Sequence, residues 1–266
     1  MDAHTSALPG IGLGTWQMRG ETCRAAVEHA LRCGYRHLDT AQLYANEAEV
    51  GRGLADSGVA RQDVFITSKV WRDNLAYDDV IRSTEASLRE LGSGYIDLML
   101  LHWPHTGYPW QRSLDALVVL QDRGLVRHIG VSNYRSELLA QAAAHAPLRS
   151  TQLEFHVYLH VDPVLAVARE HGMAVAAYCP LARGKVVEDP LLARIGESHG
   201  RSAAQVALRW LVQQDNVVAI PKSSHPARLE ANLAALDFAL TPAEMRAIDA
   251  LGRGERLIDP PFCTWD

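Results

Sequence analysis

Short, mostly continuous apolar runs recur along the chain at residues 35–39, 64–70, 95–101, 126–131, 151–155, 173–178 and 217–220. Between them lie stretches with helical spacing of apolar positions, among them 21–33, 47–57, 78–91 and 113–123. This alternation predicts a parallel sheet, because parallel strands need helical crossovers and are covered on both faces. Gly34, Gly58, Gly92 and Gly124 stand where the helical spacing stops, the position that favours a C-terminal glycine cap. A first strand within residues 11–15 brings the strands to eight, and the last is followed by helical stretches at 226–236 and 242–251. Eight βα units favour a closed α/β barrel, the (β/α)₈ or TIM-barrel class, over an open doubly wound sheet. No linker, low-complexity tract or charge block interrupts the pattern, so residues 1–266 read as one domain.

The residues that end the strands are polar. Asp39, Lys69, His102, Ser132, Asn133, Gln152, Tyr178 and Lys222 all fall at or just past the C-terminal end of an apolar run. In a barrel these positions converge on one mouth, where barrel enzymes place their chemistry. Asp39, Lys69 and His102, with Tyr44 in the loop after Asp39, can form a proton-transfer unit. A tyrosine hydroxyl has an ordinary pKa of about 10 and needs a neighbour that stabilises its anion. A buried lysine can serve, and the lysine in turn needs a carboxylate to keep it charged away from water. Trp16, Trp71 and Trp103 sit just past strand ends beside these groups, where aromatic walls would line a pocket and exclude water.

Composition narrows the remaining possibilities. The chain is 48% apolar and 21% charged, an ordinary globular balance, and its net charge of −5 comes with dispersed Lys and Arg. Nucleic acid is therefore not an expected partner, since no basic stripe is present. No run of 18 uninterrupted apolar residues spans a membrane, and residues 1–10 have neither a basic nor an apolar leader region, so a chain that stays in the cytoplasm is expected. Cys23, Cys33, Cys179 and Cys263 are scattered and form no CxxC pair, which fits free thiols in a reducing compartment. The pairs His102/His105 and His156/His160 lack the partners of a metal site, and none is expected. In Gly10-Ile11-Gly12-Leu13-Gly14 the third glycine of a GxGxxG loop would fall at Thr15, so the segment reads as a tight first strand.

The strand-end groups lie within longer motifs. Gly34-Tyr35-Arg36-His37-Leu38-Asp39-Thr40-Ala41, followed by Tyr44 and Asn46-Glu47, resembles the first signature of the aldo-keto reductases. Ile66 through Trp71, Asp97 through Pro104, Ile129 through Asn133 and Ile220 through Ser223 resemble the later signatures in order. The resemblance implies a cytosolic NADPH-dependent carbonyl reductase: Tyr44 as general acid, Lys69 lowering its pKa, Asp39 paired with Lys69, and His102 positioning the substrate carbonyl. It implies that Ser132, Asn133 and Gln152 bind the nicotinamide carboxamide, that Tyr178 stacks on the ring, and that Lys222, Ser223 and Arg228 meet the 2′-phosphate, with Asn232 near the adenine. The likeness is greatest to the bacterial diketogluconate and methylglyoxal reductase branch, whose B type also ends in Trp-Asp. Small carbonyl substrates are therefore expected, namely α-keto aldehydes, diketo sugar acids and aromatic aldehydes, handled by a monomer.

Two positions depart from the family pattern. Thr151 stands where Asn is frequent, which would loosen the carboxamide grip. Ala231 stands where Glu or Gln is common, which would remove an adenine contact and soften the preference for NADPH. Trp265, near the terminus, reads as a lid or a frayed end. Arg19, Arg72 and Arg183 are conceivable anchors for a substrate carboxylate. An alternative function is a barrel that holds NADPH as a redox sensor with little turnover, and the intact set of Asp39, Tyr44, Lys69 and His102 weighs against it.

Overall fold

The structure is a computed structural model that describes residues 8–263; Trp265 lies outside the described residues, as does most of the N-terminal segment read for a leader. Eight strands, β1 (Leu13–Gly14), β2 (His37–Asp39), β3 (Phe65–Val70), β4 (Ile96–Leu101), β5 (Val126–Ser132), β6 (Leu148–Glu154), β7 (Ala174–Tyr178) and β8 (Val217–Ile220), pair in chain order. Every pairing is parallel. The sheet closes on itself. Ile11 bridges Ala219, Gly12 N donates to Ala219 O at 2.9 Å, and Gly14 N donates to Pro221 O at 3.0 Å. The protein is thus the (β/α)₈ barrel that the eight-unit pattern predicts. The first strand is shorter than expected, because residues 11–12 only bridge β8 before β1 begins.

Helices α1 (Gly20–Arg32), α2 (Glu47–Ser57), α3 (Tyr77–Leu91), α4 (Trp110–Asp122), α5 (Ser136–His145) and α6 (Asp162–Glu170) each connect consecutive strands. After β7 the connection holds two helices, α7 (Pro190–His199) and α8 (Ala203–Val212), and after β8 come α9 (Pro226–Leu233) and α10 (Pro242–Asp249). The start of α7 is fixed by Asp189, whose side chain accepts from Leu191 N and Leu192 N. That of α8 is fixed by a capping box between Ser202 and Gln205. No helix among the described residues is long and apolar enough to cross a membrane.

Strand alternation sorts the side chains into two cores. One set faces the helices and forms the larger core with their apolar stripes. The other faces the barrel axis, where Leu8, Phe65, Leu98, Leu100, Ala176, Val218 and Ile220 form a separate cluster. Burying a large apolar side chain contributes about 1.5–3 kcal/mol. This layer therefore supports a costlier polar layer directly above it, toward the C-terminal ends of the strands. At the opposite end Asp97 ties three strands: its carboxylate accepts from Arg61 Nη2 (2.7 Å), from Ile66 N (3.0 Å) and from Arg127 Nη1 (3.2 Å). Placement at the N-terminal face makes Asp97 a support of the barrel rather than of its chemistry.

Glycine is required where backbones crowd. A Cβ on Gly130 would lie 2.2 Å from the Ser150 carbonyl oxygen, at the point where the β5–β6 register shifts. A Cβ on Gly12 would lie 2.7 Å from His37 Nδ1. His37 fills the axis beneath Asp39, fully buried, with Nε2 3.0 Å from Thr67 Oγ1. Burial holds its pKa down from 6.5 to about 4. Because the folded pKa is depressed, the unfolded chain takes up the proton first, and stability is full above pH 6.5 and falls as the pH drops toward about 4. His37 alone accounts for roughly 3 kcal/mol of that loss, at 1.36 kcal/mol per pKa unit. Denaturant titrations over this pH range measure it, and a His37→Gln variant should show a flatter acid limb; an unchanged limb would remove His37 as the cause.

Candidate active site

Four residues from three strand ends and one loop meet at the mouth of the barrel. Lys69, at the end of β3, is fully buried and donates to Asp39 Oδ1 at 2.6 Å and to the Thr40 carbonyl at 2.8 Å. The other Asp39 oxygen, Oδ2, accepts from Gln152 Nε2 at 2.7 Å. Lys69 Nζ lies 5.1 Å from the centre of the Tyr44 ring, and that ring meets the His102 ring edge-on at 5.8 Å. The sequence-predicted set is thus brought together in one cluster.

Local structure explains how Tyr44 comes to face Lys69. Tyr44 closes a 3₁₀ turn, Gln42–Tyr44, that follows β2, and the chain leaves it through Ala45 in a left-handed conformation (φ 50°). Asn46 pins this loop. Its Nδ2 donates to the Thr15 and Met18 carbonyls at 2.9 and 3.0 Å, and its Oδ1 accepts from Thr40 Oγ1 at 2.7 Å. Gln42 Oε1 accepts from Trp71 N and Asn74 Nδ2, both at 3.0 Å, joining the Tyr44 turn to the loop after β3. Glu47, buried at the start of α2, accepts from Ser68 Oγ at 2.5 Å. Asn46 and Glu47 belong to the first motif, but its spacing alone gave them no task.

The electrostatics follow from burial. Burial pushes the Tyr44 hydroxyl up and the Lys69 charge pulls it back, with the net result above its ordinary value. The lysine thus acts in the expected direction, lowering the phenol, while burial is the larger effect. Burial opposes the charge on Lys69, but Asp39 and Tyr44 outweigh it and hold its pKa above the usual value. His102 is driven well below its ordinary range by burial and by the nearby Lys69 charge, so its ring is neutral. Its Nδ1 is buried without a hydrogen-bond partner. An unpaired buried acceptor costs less than an unpaired donor, so the ring proton belongs on Nε2.

The next arc of the mouth carries the other strand-end groups. Tyr178 OH donates to Asn133 Oδ1 at 2.7 Å, and Asn133 Nδ2 donates to the His102 carbonyl and to Ser132 Oγ, both at 3.0 Å. Asn133 sits at φ 63°, a left-handed conformation that Asn tolerates better than most residues. Gln152 spends its Nε2 on Asp39, while its Oε1 has no partner among the described residues. Thr151 lies on β6 next to Gln152 and therefore points to the opposite face, away from the axis. The departure at Thr151 thus falls outside the polar arc.

Lys222, Ser223, Arg228 and Asn232 cluster between the end of β8 and α9. Lys222 and Arg228 are exposed, and no carboxylate among the described residues pairs with either. Ser223 is buried and its Oγ accepts from His225 N at 3.1 Å. Asn232 is buried to 6% exposure, and its side-chain amide has no hydrogen-bond partner among the described residues. Ala231 offers only its carbonyl, which accepts from Gln205 Nε2 at 3.0 Å.

Aromatic rings wall the mouth. Trp16 meets Tyr44 edge-on at 4.8 Å, Trp71 meets His102 at 5.3 Å, and Trp103, which is buried, lies 6.5 Å from His102. The C-terminal segment completes the wall. Glu154, the fully buried last residue of β6, accepts from Leu257 N and Ile258 N at 2.8 and 2.9 Å and pairs with His156 at 3.1 Å. Beyond this latch Phe262 reaches Trp103 at 5.4 Å.

Residues 10–253 match the Aldo/keto reductase family, which covers nearly the whole barrel just described. The chain belongs to the aldo/keto reductase family. An aldo-keto reductase of Mycolicibacterium smegmatis is 38% identical over 259 residues, covering 96% of this chain and 94% of the relative. Methylglyoxal reductase DkgB of Escherichia coli O157:H7 is 38% identical over 267 residues, covering 98% of this chain and 100% of the relative. A crystal structure assigned as a 2,5-diketo-D-gluconic acid reductase B superposes with a TM-score of 0.95 at 45% identity, covering 97% of this chain and 94% of that one. As a member of this family the chain is an oxidoreductase that reduces carbonyl compounds.

Proposed function

We propose that this aldo/keto reductase uses NADPH to reduce small aldehydes and ketones, with Tyr44 as the proton donor. The observation that carries the reading is the continuous polar path from Asp39 through Lys69 to Tyr44, beside a neutral His102, at the mouth of the barrel. The residues present suit the cofactor. Gln152 Oε1 and the Asn232 amide lack protein partners, and Lys222 and Arg228 are exposed cations beside Ser223. Gln152, with Ser132 and Asn133, would hold the carboxamide, Tyr178 would lie against the ring, and Lys222, Ser223 and Arg228 would meet the 2′-phosphate. When bound, a reduced nicotinamide supplies hydride, which no side chain can provide.

The protein's own groups then manage the proton. Nε2–H of neutral His102 orients the substrate carbonyl. Tyr44, protonated at neutral pH, donates its proton to the oxygen, which as an alkoxide is a far stronger base than the phenolate left behind. Lys69 stabilises that phenolate, and Asp39 keeps Lys69 charged without water. Trp16, Trp71 and Trp103 exclude solvent from the transfer. The relatives' names support small α-keto aldehydes and diketo sugar acids as substrates. Cys23, Cys33, Cys179 and Cys263 form no disulfide with one another, which favours the cytoplasm as the setting.

Incubation with NADPH and methylglyoxal should consume the two in equal amounts and yield the alcohol, whereas tight NADPH binding without turnover of this or of aromatic aldehydes would favour the sensor. Cofactor choice has its own test. Arg228 offers a planar fork to a phosphate, a charge-assisted contact of about 1.5–3 kcal/mol. Arg228→Ala should lower the kinetic preference for NADPH over NADH by about tenfold, since 1.36 kcal/mol is a factor of ten. An unchanged preference would take the 2′-phosphate away from Arg228.

A further inference from the structure

Arg72 follows Trp71 in the turn that leaves β3, so it stands beside the ring that touches His102. Its guanidinium lies 4.0 Å from the centre of the Phe262 ring, the same ring that meets Trp103 at 5.4 Å. The cation is therefore built into the wall of the mouth by two segments far apart in the chain. Stacking engages the face of the guanidinium and leaves its N–H fork free in the ring plane. Among the described residues no hydrogen bond or ion pair engages that fork. Arg72 Nε is buried with no hydrogen-bond partner, and no carboxylate among the described residues pairs with Arg72, its neighbour Asp73 included. Other arginines held in place do have partners, as Arg61 has Asp97 and Arg24 has Glu28 and Asp56. Arg19 and Arg183, the other sequence candidates for an anion contact, are exposed and stack on no ring of the pocket.

We propose that Arg72 is the carboxylate anchor of the site, so that the substrates this enzyme prefers are oxo acids with a carboxylate remote from the carbonyl that is reduced. The proposal rests on the reductase reading above and adds to it the charge of the substrate. A planar fork held by a ring matches the two oxygens of a carboxylate, and the preorganised geometry lowers the entropy lost on binding. Phe262 orients the fork, and the Glu154 latch holds the segment that carries Phe262. Arg72 binds substrate and takes no part in the proton transfer.

The test compares 4-carboxybenzaldehyde with its neutral isostere, methyl 4-formylbenzoate, both with NADPH. The readout is the ratio of kcat/KM for the acid to kcat/KM for the ester. In the wild-type enzyme the ratio should exceed one. In Arg72→Met it should fall by about tenfold, the equivalent of one charge-assisted pair, with the loss in the KM for the acid. Arg72→Lys, which keeps the charge but not the fork, should give an intermediate ratio. A ratio in Arg72→Met that stays at the wild-type value overturns the anchor. Should Arg72→Met turn over neither aldehyde, Arg72→Lys decides by the same ratio. Wild-type enzyme that turns over methylglyoxal but reduces the acid no better than the ester overturns the anchor alone, whereas wild-type enzyme that reduces neither of these compounds nor methylglyoxal removes the reductase reading, and the anchor with it.

Discussion

Replacing Tyr44 by phenylalanine should lower kcat for aldehyde reduction by about 10²–10⁴-fold, the usual contribution of a positioned general acid, while NADPH still binds. The substitution deletes one oxygen and keeps the ring, so the contacts of Tyr44 with Trp16 and His102 survive. No other group takes over the proton. His102 is neutral and held far below its ordinary range, and Lys69 is committed to Asp39 and the Thr40 carbonyl. Because burial keeps the Tyr44 pKa above 10, wild-type activity should not decline through loss of the acid until the pH rises past that value. Activity of Tyr44→Phe within about tenfold of wild type, well short of the general-acid contribution, would refute the assignment.

Lys69→Met should be harsher, because it damages both the chemistry and the fold. Methionine leaves the Asp39 carboxyl group buried, with Gln152 its one remaining side-chain partner among the described residues. Removing one member of a buried ion pair costs about 3–5 kcal/mol. At about 2–4 °C per kcal/mol for a chain of this size, the melting temperature should fall by roughly 10 °C. Turnover should fall as well, since the phenolate left by Tyr44 loses its stabilising charge. Adding Asp39→Asn separates the two effects. The double variant removes both charges and should recover much of the stability without recovering activity. Recovery of both, or of neither, would contradict the roles given to this pair. The stability that the pair contributes is present below the ordinary lysine pKa of 10.5 and is lost as the pH rises through the higher folded value. The gap between wild type and Lys69→Met should therefore close in strong alkali.

The barrel was legible in the sequence because the strands after the first are short apolar runs with polar residues at or just past their ends, Asp39, Lys69, His102 and Gln152 among them. Strand alternation then places those residues on the axis and so sets them side by side. What escaped the sequence reading depends on contacts between distant segments. Nothing near Glu154 reveals that it will accept hydrogen bonds from residues 257 and 258, more than 100 positions later. The path from Asn46 to Thr15 and Met18 is likewise tertiary. The connection after β7 hid its division into α7 and α8, although Ser202 and Gln205 hold the capping box that marks the second start. The departure at Thr151 was weighed without its orientation, and a one-residue step on a strand changes the face. The size of the burial effect on Tyr44 is tertiary too, since residue types alone do not say how deeply a phenol is buried beside its lysine.

In the proposed reaction hydride passes from NADPH to a substrate carbonyl carbon while Tyr44 protonates the oxygen. Its most direct test is the reduction of methylglyoxal with NADPH that carries deuterium in the transferred position, followed by mass and NMR analysis of the alcohol. One deuterium per turnover should appear on the new carbinol carbon and none on the hydroxyl after exchange with water. An alcohol that carries no deuterium, or oxidation of NADPH with no alcohol formed, would contradict it.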